Sequence, residues 1–173
     1  YSPDGHYVAC TRGWRCVQLY DAVTGNLVRS FSGSHFGTRC VAYSSDSLRI
    51  ATAGYSDGVS ICNAGTGLVE FIIAEHTNEV YTVAFSPCGH WIATGGKDTT
   101  VRLWDARSGT PGRVFAGHAG GIGSVAFSPS GRQIASRCYN GSLRVWDIAS
   151  GESRQLADSM LDGTVAFSPD GLQ

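Results

Sequence analysis

Hydroxyl, imidazole and carboxylate side chains recur through this chain in a grouping (Ser or Thr, His, Asp) that first suggests nucleophilic hydrolysis. The grouping returns once in each unit of an internal repeat, whereas an active site is needed once, so it reads as structure. No G-x-x-x-x-G-K-[ST] loop or His-Glu-x-x-His segment occurs, and Gly65-Thr-Gly67 reads as a turn rather than a phosphate cradle. Six cysteines (Cys10, Cys16, Cys40, Cys62, Cys88 and Cys138) hold unrelated places in the repeat without a Cys-x-x-Cys pair. That pattern argues against a zinc or redox centre and for free thiols in a reducing, intracellular setting. Asn140-Gly-Ser142 matches a glycosylation sequon, but Asn-Gly is a strong hairpin-turn signal and the turn reading is preferred. The chain is therefore not expected to be an enzyme, and no cofactor or metal is expected.

The repeat itself is carried by two phrases. One reads Tyr1-Ser-Pro-Asp-Gly5, Tyr43-Ser-Ser-Asp-Ser47, Phe85-Ser-Pro-Cys-Gly89, Phe127-Ser-Pro-Ser-Gly131 and Phe167-Ser-Pro-Asp-Gly171, with its aromatic positions 42, 42, 42 and 40 residues apart. The other reads Leu19-Tyr20-Asp21, Ile61-Cys62-Asn63, Leu103-Trp104-Asp105 and Val145-Trp146-Asp147, each 42 residues after the last. Two unrelated phrases on one beat mean one structural unit copied four times, and a period of about 40–45 residues with a Trp-Asp signature suits a four-stranded propeller blade.

The best-formed copy runs from His76 to about Ala116. Val80 to Phe85 is predicted as a buried inner strand, turned by Ser86-Pro-Cys-Gly89. Trp91 to Thr94 is predicted as the second strand and Val101 to Trp104, with period-two alternation, as the third. Gly112 to Phe115 is predicted as the outer strand, and four strands in one period leave no room for helices. The chain is 42% hydrophobic and 16% charged, with 23 glycines for turns, which marks it as globular. A net charge of −1 gives no footprint for nucleic-acid or anionic-membrane binding, and no apolar run approaches a bilayer span. No secretory leader is read, although the first residue lies inside a motif.

These phrases, with Gly117-His118, Ile92-Ala-Thr-Gly95 and Ile134-Ala-Ser136, resemble the WD40 repeat family along essentially the whole chain. The resemblance implies one all-β domain over 1–173, a β-propeller of four-stranded antiparallel blades. Its repeats fall at about 1–33, 34–75, 76–116 and 117–157, with a fifth starting at 158–173. It further implies a hydrogen-bonded set of Trp, Ser or Thr, His and Asp in each blade, because a buried indole N–H must find an acceptor. The third copy carries the set as Trp104, Thr94, His76 and Asp98; the fourth has Trp146, Ser136 and His118 with Asn140 in place of the acid. The second has His35 and Thr52, with Ser56 and Cys62 in the Asp and Trp slots. The first has Tyr20, Cys10 and Trp14, and so is expected to lack the network.

Propellers of this family act mainly as platforms for proteins or peptides, and the resemblance places the contacting side chains at the channel entrance. There it puts Tyr55, Lys97 and Tyr139 before the turn acid, with Trp14 beside the equivalent Gly13, and Arg39 and Tyr81 on the inner strand, with Glu79 beside them and Gly123 and Gly163 in the remaining copies. Aromatics and Arg on one rim are the composition of protein-binding hot spots. Trp104-Asp105-Ala106-Arg107 also resembles the Trp-Asp-x-Arg box of cullin–RING ubiquitin-ligase substrate receptors, where Arg107 would contact the adaptor. A third reading makes the repeats the sensor of a multidomain signalling ATPase. Closure stays open among three arrangements: part of a larger propeller, four blades that self-associate into eight, or a ring of four in which Thr164 to Phe167 completes the first blade.

Overall fold

The computed structural model describes residues 1–13, 16–32, 37–55, 58–158 and 163–171. Among them the chain is all-β, with no helix and four antiparallel sheets. The first sheet holds β1 (Tyr7–Arg12), β2 (Cys16–Asp21) and β3 (Leu27–Ser32). The second holds β4 (Thr38–Tyr43), β5 (Arg49–Gly54), β6 (Val59–Asn63) and β7 (Val69–Ile73). The third holds β8 (Val80–Phe85), β9 (Trp91–Gly96), β10 (Val101–Asp105) and β11 (Pro111–Phe115). The fourth holds β12 (Ile122–Phe127), β13 (Gln133–Cys138), β14 (Ser142–Asp147) and β15 (Ser153–Asp158). Each sheet is a meander in chain order, and the inner strands β4, β8 and β12 pack side by side.

Strand alternation builds the core between the blades. Ile92 and Trp104, paired across β9 and β10, face the second sheet with Ile61, Val80 and Ala51. Their neighbours Ala93 and Leu103 face the opposite way, into the cluster of Ile122, Ile134 and Trp146. A period of two thus serves two different interfaces, and β9, covered on both faces, is buried along nearly its whole length. The outer strands β3 and β11 are mostly exposed, and Pro111 sits at the start of β11, where a missing N–H costs least.

The repeated Ser-Pro phrase has a physical cause. In four copies a serine hydroxyl, on Ser2, Ser44, Ser86 and Ser128, accepts the N–H five residues on, at 2.9–3.1 Å. These serines are buried, so each hydroxyl seals the turn that sends the inner strand into the second. Gly5, Gly89 and Gly131 close that turn with positive φ; in the second copy Ser47 must adopt φ 63° itself. The aspartate or asparagine of the second phrase caps the turn before the outer strand: Asp21, Asn63, Asp105 and Asp147 each accept the N–H three residues on.

The sheets do not close into a ring. Of the three arrangements, the ring of four in which Thr164 to Phe167 completes the first blade is not formed: the first sheet has three strands with β1 at its edge, and residues 163–169 form no strand. They lie instead against β12, with Val165 N–H donating to Ser124 Oγ at 3.0 Å, much as Val125 N–H donates to Thr82 Oγ1 at 3.3 Å. Without the edge of β1 beside it, this segment has no ladder to join.

Candidate interaction site

The polar network of the third blade runs from indole to carboxylate. Trp104 Nε1 donates to Thr94 Oγ1 at 2.8 Å, and Thr94 Oγ1 lies 2.7 Å from His76 Nε2. Since the threonine oxygen accepts from the indole, its own proton goes to Nε2, which leaves the proton on Nδ1 to meet Asp98 Oδ2 at 2.8 Å. Asp98 also accepts from the Thr77 and Thr100 amides and the Thr100 hydroxyl, and Arg102 stands 3.6 Å away. Burial lowers the proton affinity of His76 despite the pull of Asp98. Burial alone would raise the Asp98 carboxyl, but His76 and Thr100 outweigh it and hold it below its usual range.

The fourth blade solves the missing acid differently. Trp146 Nε1 donates to Ser136 Oγ and His118 Nε2 meets the same oxygen, both at 2.7 Å. His118 Nδ1 then reaches Ser142 Oγ at 2.9 Å, not Asn140. Asn140, which stands in the acid's slot, accepts from Ser142 N–H at 3.3 Å and from Cys138 Sγ, so it supports the imidazole only through Ser142. An amide side chain is held by the tight turn, and the hydroxyl two residues on fills the gap. Ser142 corresponds to Thr100, and the repeat spacing alone could have flagged it. Burial, helped by Arg144, pulls His118 down to about 4.

The earlier blades carry less of this network. Thr52 Oγ1 is buried with no hydrogen-bond partner among the described residues; His35 and Ser56, read as its companions, lie outside them. In the first blade the Tyr20 hydroxyl donates to Gln18 Oε1 at 2.8 Å, and Cys10 pairs across the strands with Gln18 rather than with an imidazole.

At the start of the inner strands, at one end of the blades, the sheets share one irregularity. β4, β8 and β12 each shift register at a single extra residue, between Thr38 and Cys40, Val80 and Thr82, and Ile122 and Ser124. The extra residues are Arg39, Tyr81 and Gly123. A bulge releases one side chain from the strict in–out alternation of the core. The residues at the end of the second strand meet them: Lys97 N–H donates to Glu79 O at 2.8 Å and Tyr139 N–H to Gly121 O at 2.9 Å.

Three of the sequence-selected side chains converge there. The Arg39 guanidinium lies 4.8 Å from the Tyr81 ring centre and 5.6 Å from that of Tyr139. The two tyrosines meet edge to face at 5.5 Å. Gly123 makes room, because a Cβ there would meet the Tyr139 ring at 3.3 Å. The Tyr81 hydroxyl donates to Glu79 Oε2 at 2.7 Å, and Lys97 Nζ stands 3.6 Å from the same oxygen. Burial and the Glu79 carboxylate push the Tyr81 phenol up to about 12, so it stays a neutral donor. Arg39, Tyr81, Gly123 and Tyr139, together with Arg137, Gly163 and Thr164, line a cleft of about 570 Å³, with Glu79 and Lys97 beside it. Tyr55 is half exposed and lines a separate hollow with Gly13, Gly37 and Thr38, and Trp14 lies outside the described residues. Arg137 was not selected from the sequence, although it stands 42 residues after Gly95 and so breaks the pattern of its copies.

Arg107 sits at the opposite end of the third blade. Its N–H is capped by Asp105 at 3.0 Å and its side chain is exposed. No group of three or more His, Cys, Asp or Glu residues among the described ones could hold a metal ion. No helix is long and apolar enough to cross a membrane.

The family profile described as "WD domain, G-beta repeat" matches residues 25–61, 68–105 and 109–147. A WD repeat-containing protein SL1-17 of Schistosoma mansoni is 32% identical over 89 residues, which is 51% of this chain and 29% of the relative's length. With four meandering sheets, the recurring Trp-Asp strands and three matched repeats, the chain belongs to the WD40 repeat family, whose members serve in general as non-catalytic scaffolds for protein interaction.

Proposed function

We propose that this chain holds a protein or peptide partner on the channel end of its blades, with Arg39, Tyr81 and Tyr139 as the anchors and Glu79 and Lys97 at their flank. The observation that carries the reading is the convergence of side chains from three successive blades on one cleft, two of them released by bulges from any duty in the core. Stacked aromatic and guanidinium groups give large contact area at low entropic cost, the chemistry of binding hot spots. Peptides selected from a random decapeptide display library on the 173-residue chain test it. Arg39→Ala and Tyr139→Ala should each weaken them about tenfold or more while the melting temperature holds; Arg107→Ala should leave binding unchanged. Selected peptides indifferent to both rim variants refute the reading.

A second reading rests on Arg107, exposed on a turn whose backbone Asp105 fixes, within a Trp-Asp-x-Arg sequence. There it would dock a cullin–RING ligase adaptor. Adaptor co-precipitation that survives Arg107→Ala would remove it.

A further inference from the structure

Arg137 is the anomaly of the cleft. Its side chain stands where the two preceding copies carry Ala53 and Gly95, both wholly or nearly buried against the next inner strand. A Cβ on Gly95 would lie 2.5 Å from Ile122, so that place is normally filled by the neighbouring blade. In the fourth blade it holds an arginine that is 8% exposed over the whole residue. Among the described residues its hydrogen bond is Nη1 to Gly163 O at 3.4 Å, long for a charged donor, and no ion pair forms with it. A cation with most of its water removed and no counter-charge is costly, and an anion is what would relieve it.

The rest of the cleft agrees. Arg39 also lacks an ion pair among the described residues; it is held by the faces of Tyr81 and Tyr139, which leaves the guanidinium's N–H edge available. No aspartate or glutamate among the described residues lines the cleft, although the chain as a whole carries a net charge of −1. Glu79, beside the rim, is engaged by the Tyr81 hydroxyl and Lys97. Among the described residues, two cations therefore share about 570 Å³ with two aromatic rings and no acid.

We infer that this cleft takes an acidic peptide segment, a glutamate or aspartate carboxylate lying between Arg39 and Arg137 with the peptide's body against Tyr81 and Tyr139. The inference rests on the reading of the cleft as the binding face. A peptide fits better than a free anion because the tyrosine walls offer apolar contact that a small anion cannot use.

The test extends the display selection. Peptides enriched on the 173-residue chain should carry Asp or Glu. A selected peptide, resynthesised with fluorescein, should bind about tenfold or more tightly than its Asn/Gln counterpart, a difference that shrinks as salt rises. Arg39→Gln, at an exposed position that the fold does not need, should erase the preference; Arg137→Gln should do the same. Peptides that depend on Tyr139 yet show no acidic preference overturn this inference and leave the binding face standing. Acidic peptides indifferent to Arg39→Gln and to Tyr139→Ala overturn both. Displacement of the peptide by inorganic phosphate at equal concentration would make the occupant a free anion, and also overturns it.

Discussion

Replacing Asp98 separates the two ways in which these blades satisfy a buried imidazole. In Asp98→Ala, His76 Nδ1–H loses its acceptor, and with the His76 side chain only 1% exposed water cannot replace it. Stranding one buried donor costs about 1–3 kcal/mol. The Thr77 and Thr100 amides also lose their acceptor but lie nearer solvent, adding roughly 0.5–1 kcal/mol, for a total of about 1.5–4 kcal/mol. Asp98→Asn recreates the fourth blade, where Asn140 caps the turn and the Ser142 hydroxyl takes the imidazole proton. Thr100 stands in the place of Ser142, so the Asn variant should cost about half as much, roughly 1–2 kcal/mol. Equilibrium urea unfolding followed by tryptophan fluorescence measures both. An Asp98→Ala cost below about 0.5 kcal/mol, or an Asn variant as damaging as the Ala variant, would refute the argument that the blades share one interchangeable network.

Two further outcomes follow from backbone and charge. Thr99 holds φ 67°, where the next copy has Gly141 at φ 91°; Thr99→Gly should stabilise by about 0.5–1 kcal/mol, since the relief of a left-handed β-branched residue exceeds the added freedom of the unfolded chain. A lowered melting temperature would mean that Thr99 makes compensating contacts. His118, at about 4 when folded against 6.5 otherwise, makes acid unfavourable. Between those values the unfolded chain binds a proton that the folded chain refuses, so stability falls as pH drops through 6.5 and the loss is complete near 4. At pH 5 the share from this residue is about 2 kcal/mol, and His118→Gln should flatten the slope between pH 7 and 5 by that amount. An unchanged slope would show that His118 is protonated in the folded state.

Most of the fold was readable because it is repeated. The strands of the third copy fall within a residue or so of their expected places, since alternation and turn residues act locally. The resemblance pointed to Trp104, Thr94, His76 and Asp98 for the same reason: spacing fixes which side chains meet. What it missed are substitutions between neighbours. Ser142 takes over from an acid because its hydroxyl lies within reach of His118; the spacing places it opposite Thr100, but the four slots of the network do not include that position. Arg137 escaped because the slot it occupies is read as core, and only burial without an ion pair among the described residues marks it as unusual.

The bulges explain how one repeat can be both rigid and adaptable. Along β8, Val80, Thr82 and Val83 are buried and fixed by their neighbours, so their identities are dictated by packing. Tyr81, the inserted residue, is opposed by nothing on β9 and can change without moving the ladder. The same place is Arg39 in one blade and Gly123 in another, three residues of different size and charge on strands that share the same bulged register. Binding chemistry is thus written at one position per inner strand, where a change carries little penalty to the core. It follows that exchanging Arg39 and Tyr81 should alter which peptides bind without altering stability, whereas the same exchange at Val80 and Thr82 should unfold the blade.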